Sequence, residues 1–97
     1  MPLFVVRHRH DAERCPARDP KMGAMLLSHL GEESARKHGV SIHGEAVVDG
    51  AHTLYLIAEA PDRSTIDAFM APFAMAGEVE VMSGSACEAV VARGSCD

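Results

Sequence analysis

The sequence predicts an α+β domain in which a four-stranded antiparallel sheet carries two helices on one face. Three observations predict it. Apolar and turn-forming segments alternate in the order strand, helix, strand, strand, helix, strand over 97 residues. Asp49-Gly50 separates two apolar runs, which is the pattern of a tight hairpin. Both faces of the strands are apolar, and two helices can cover only one of them.

Each element has a local reason. Leu3 to Val6 is a β-rich apolar run that Arg7 to His10 extends, giving strand one at 3–10. Asp11 to Asp19 is polar, contains Pro16, and reads as a loop. Asp19-Pro20 opens a helix, with Asp as the cap and Pro in the first turn. Met22, Met25, Leu26, His29 and Leu30 follow at helical spacing, which predicts core packing for these methionines. Gly31 kinks or splits the helix; Glu32 to Lys37 continues it, with Glu32-Glu33 on a solvated face, and Gly39 ends it. Val40–Val48 reads as strand two and His52–Glu59 as strand three. Pro61-Asp62 and Ser64 open the second helix, which carries Ile66, Phe69, Met70 and Phe73 and is bent or shortened by Pro72. Glu78-Val79-Glu80-Val81 alternates as strand four, with the glutamates facing outward. Ser83-Gly84-Ser85 reads as a loop and Glu88–Ala92 as a short extra strand.

The whole chain, 1–97, is one domain with a core over about 3–92. Its order is the ferredoxin-like βαββαβ arrangement. Strands one and three are expected as parallel neighbours at the centre, with strands two and four outside and antiparallel to them. A two-residue turn places His43, Glu45, Val47, Leu54 and Leu56 on one face. The other face then carries Ile42, Ala46, Val48, Tyr55 and Ile57. A second copy is the simplest cover for the face without helices, so a homodimer is expected.

Composition excludes several function classes. The net charge is −5, from 9 Lys+Arg against 14 Asp+Glu, and the only basic run is Arg7-His8-Arg9-His10. A nucleic-acid partner is therefore not expected. No apolar run approaches a membrane span and the first residues lack the pattern of a signal peptide, so the expected compartment is the cytoplasm. Three widely spaced cysteines do not make a disulfide framework. Phosphate-cradling, dinucleotide-binding and serine-hydrolase motifs are absent.

The segments His38-Gly39-Val40, Val47-Val48-Asp49-Gly50 and Leu54-Tyr55-Leu56-Ile57-Ala58-Glu59-Ala60-Pro61-Asp62 resemble the small bacterial domains of the dimeric α/β-barrel superfamily. Within it, the chain is similar to the nickel-binding-protein-like group. The resemblance implies the fold and a dimer. The superfamily also includes cofactor-free oxygenases and isomerases, so it does not choose an activity.

The residues that carry chemistry are histidines and one cysteine. His8 and His10, two apart on a strand, face the same way and could share a metal ion. The expected topology brings the start of strand two, with His43, beside them, and Cys15 lies in the loop leaving strand one. His8, His10, His43 and Cys15 are therefore the candidate ligands, and imidazole with thiolate suits Zn, Cu or Ni. The bland account of the same residues is a solvated strand end partnered by Glu45 and Glu59. Cys15 as a reactive thiol is opposed by Asp11, Glu13 and Asp19. Cys87 reads as a buried small residue and Cys96 as an inert tail thiol. Three functions follow: a transition-metal-binding homodimer, a small cofactor-free enzyme with His8, His10 or His43 as general base, or an interaction domain with no site.

Overall fold

The computed structural model describes residues 1–97. Four strands, β1 (Leu3–Arg9), β2 (Ser41–Val48), β3 (Thr53–Glu59) and β4 (Glu78–Gly84), form one sheet in the order β2-β3-β1-β4. The helices are α1 (Pro20–His29), α2 (Glu32–Lys37), α3 (Arg63–Phe69), α4 (Ala71–Ala74) and α5 (Cys87–Arg93). This is the expected ferredoxin-like α+β fold.

The strand directions correct one expectation. β1 pairs with β3 antiparallel, with Leu3 opposite Glu59 and Arg9 opposite Thr53. A helical crossover makes β2 parallel to β1, and the hairpin reverses the chain again, so β3 must run against β1. The hairpin loop, not the start of β2, therefore sits beside the C-terminal end of β1.

The hairpin is also wider than two residues. Val48 pairs with Thr53, leaving Asp49 to His52 as a four-residue loop closed by the Ala51 amide donating to the Val48 carbonyl at 3.1 Å. An irregularity between Ile42 and Gly44 leaves His43 unpaired. This bulge turns Ile42 to the helix side, opposite Ala58, and His43 to the other, where it meets Glu59. The expected faces of these two residues are exchanged; those of Val47, Val48, Leu54 and Tyr55 are as read.

The helix-side core comprises Phe4 and Val6 of β1, Leu56 and Ala58 of β3, Val81 of β4, and Ala35, Ile66, Phe69, Met70 and Phe73 from the helices. Asp62 caps α3 by accepting from the Thr65 amide at 2.9 Å, and its carboxyl is held below the usual range by hydrogen bonds from Thr65 and Ser64. Pro72 starts α4 after a break at Met70. Gly31 divides α1 from α2 in an extended conformation. Met22 and Met25 point outward, Met25 being 61% exposed, so they are not core residues. α1 contributes no fully buried residue and stands off the sheet, which leaves a cleft beneath it.

Two further expectations change. β4 runs on through Gly84, which pairs with Leu3. Cys87–Arg93 is a helix, and Cys87 is exposed. Glu88 in its first turn, Arg93 in its last and Gly94 in the left-handed conformation after it (φ 74°) outweigh the strand preference of Val90-Val91.

Candidate metal centre and cleft

His8 is the last inward-facing residue of β1. It continues the Phe4, Val6 row beyond the hydrocarbon core, packs edge-on against Phe73 at 5.2 Å between ring centres, and is 2% exposed. Its Nε2 is buried without a hydrogen-bond partner in the protein. Two residues on, His10 lies on the same side, its ring centre 5.4 Å from that of His8, and both its ring nitrogens are buried and unpartnered.

The hairpin loop meets this end of β1. The His10 amide donates to the His52 carbonyl at 3.2 Å, and the two rings meet edge-on at 5.3 Å. His52 adopts φ 51°, the only non-glycine residue with positive φ. A left-handed residue other than glycine costs about 1 kcal/mol.

Cys15 arrives from the loop after β1. That loop is two short 3₁₀ turns, Ala12–Arg14 and Pro16–Arg18, joined at Cys15 and anchored by buried Pro16. Its last residue, Asp19, accepts from the Lys21 and Met22 amides and fixes the start of α1. The result brings His10, Cys15 and His52 together, with one donor atom from each within 4.8 Å of the others.

Of the four expected ligands, His10 and Cys15 are in this cluster. His8 is adjacent, and His43 is not there. His43 lies beside the opposite end of β1, about 20 Å away along six strand residues, and its Nε2 is 3.0 Å from Glu59 Oε1. His52 takes the place expected for His43. His43→Ala is therefore expected to leave any metal binding unchanged, by isothermal titration.

The cluster opens into the cleft under α1, which has a volume of about 750 Å³, within the range of small-molecule sites. Leu26, Leu27 and Leu30 line one wall, and Val47 and Leu54 line the other. His8 and Phe73 also border it.

No family model matches the chain, and no curated protein matches it. A solved structure is similar to it in fold. It is described as an antibiotic biosynthesis monooxygenase, and it superposes with a TM-score of 0.54 over 89% of this chain and 98% of that one, at 16% identity. At that identity the likeness shows the fold, and it assigns neither activity nor ligand.

Burial, and then the charge of His10, hold the His8 pKa below its usual value. The Phe73 backbone carbonyl opposes the shift but makes no well-formed hydrogen bond to Nε2. Burial and His52 lower His10 in the same way, opposed by Asp11. Both groups are therefore neutral near pH 7, as ligands and bases must be. The unfolded chain binds more protons than the folded one between the lowered values and about 6.5, so stability rises with pH through that window. Metal-free protein should lose stability to urea as pH falls from about 7.5 to about 5.5, and His8→Leu should flatten that dependence. An unchanged urea midpoint in the wild type would contradict this assignment.

Proposed function

We propose that the chain is a homodimeric domain that binds one transition-metal ion, zinc, copper or nickel, through His10, Cys15 and His52. The observation that supports this best is the convergence of one thiol and two imidazoles within 4.8 Å at the head of a cleft. Zn–N and Zn–S bonds of about 2.0 and 2.3 Å set donors roughly 3.5 Å apart in a tetrahedral site. The three donors need approach by only about 1 Å, and the short turns that carry Cys15 can supply it. Three protein ligands would leave one position open, and all three residues line the cleft. Soft thiolate with imidazole favours zinc, copper or nickel over magnesium or calcium. The role is binding, sequestration or sensing of the ion.

The dimer reading is supported by the sheet face opposite the helix-side core. Tyr55 and Ile57 are 38% and 45% exposed there, beside Val48, Leu3, Val5 and Met82. An apolar area of this kind is normally covered.

A second reading is favoured by one observation. His8 is a buried imidazole held neutral at the wall of the cleft, as a general base would be.

Elemental analysis after equilibration with zinc, copper or nickel and desalting separates these readings. About one ion per chain in the wild type, lost in a His10→Ala/His52→Ala variant, is the expected result. A wild type that holds none of the three ions would sink the metal reading and leave the enzyme reading.

A further inference from the structure

The cleft adds a ligand class to the metal reading, and the inference rests on that reading. A divalent ion held by one thiolate and two neutral imidazoles keeps a net charge of +1 and an open position. The residues that would hold it line a cavity of about 750 Å³ whose walls are Leu26, Leu27, Leu30, Val47, Leu54 and Phe73. His8 also borders that cavity and is 2% exposed. Asp19, Glu45 and Asp49 are the exposed acids along the rim. They repel a second negative charge on any molecule that extends out of the cleft, and they repel an anion altogether unless the metal holds it.

We propose that the cleft binds a small monoanionic amphiphile, with a carboxylate-type head on the open metal position and an apolar body between α1 and the sheet. The anionic head neutralises the site's remaining charge. The body is held by Leu26, Leu30, Val47 and Leu54.

The test uses the full-length protein loaded with cobalt(II), whose ligand-field spectrum reports inner-sphere binding. Acetate, butyrate, hexanoate and octanoate are titrated in turn. Affinity should rise about fourfold per methylene, the value for burying a methylene group, and level off when the cleft is full. Metal-free protein should bind none of them. Ala24→Phe places a ring in the cleft from the exposed side of α1, away from the metal donors. That variant should keep the cobalt spectrum and lose the dependence on chain length. Equal affinity for acetate and octanoate in the wild type, or equal octanoate binding without metal, would overturn the inference and leave the metal site standing. Failure to take up cobalt would overturn both.

Discussion

Cys15→Ala is expected to weaken zinc binding by about a hundredfold or more while the domain stays folded. Loss of an outer-shell partner alone costs metal sites about 10- to 100-fold, and Cys15 would supply the only sulfur and the only negative charge among the three donors. Its side chain makes no hydrogen bond and sits in a loop, so its removal opens no core. His52→Gly offers a second route to the same loss with a different structural signature. His52 holds φ 51°, a conformation that glycine adopts freely. Removing the ring should therefore abolish a donor while changing stability by less than about 1 kcal/mol. Competition titration against a chromophoric chelator measures the affinity, and urea unfolding of the metal-free proteins measures the stability. Wild-type affinity in both variants would exclude Cys15 and His52 as ligands.

Gly77→Ala is expected to destabilise the domain by about 3 kcal/mol, the upper end for forcing atoms into a filled site. For a domain of this size that is roughly 12–24 °C in Tm. Gly77 lies between α4 and β4, where the chain passes close against the end of β1. A Cβ there would collide with the Arg9 carbonyl and come within 3.0 Å of both His8 Nε2 and His10 Cβ. The backbone oxygen cannot rotate away, so β1 or the incoming strand must shift. Either shift moves His8 and His10, and metal affinity should fall together with stability. A thermal melt with a wild-type midpoint would show that the turn has more room than the structure gives it.

The fold was legible because its signals are local and agree with one another. Asp19-Pro20 and Asp62 mark helix starts by their capping chemistry, Asp49-Gly50 opens the hairpin loop, and Leu3 to Val6 is a β-rich apolar run. The site was half legible. His10 and Cys15 could be named from residue type and position, but their third partner depends on strand direction, a long-range property. Reading β1 and β3 as parallel sends His43 to the wrong end of the sheet. The signal that finds His52 is topological: a crossover followed by a hairpin makes the third strand antiparallel to the first, so its preceding loop must lie beside the exit of β1. The bulge at His43 left no trace in the alternation of β2, because Ile42 and Val47 both read as strand residues whichever way they face. α5 was hidden by Val90-Val91, whose strand preference is overridden by the charges and the glycine at the helix ends.

X-ray absorption at the zinc edge of the loaded protein tests the central claim most directly. The expected first shell is one sulfur at about 2.3 Å and two imidazole nitrogens at about 2.0 Å, with the sulfur shell lost in Cys15→Ala. A first shell of nitrogen and oxygen alone in the wild type would contradict a site built from His10, Cys15 and His52.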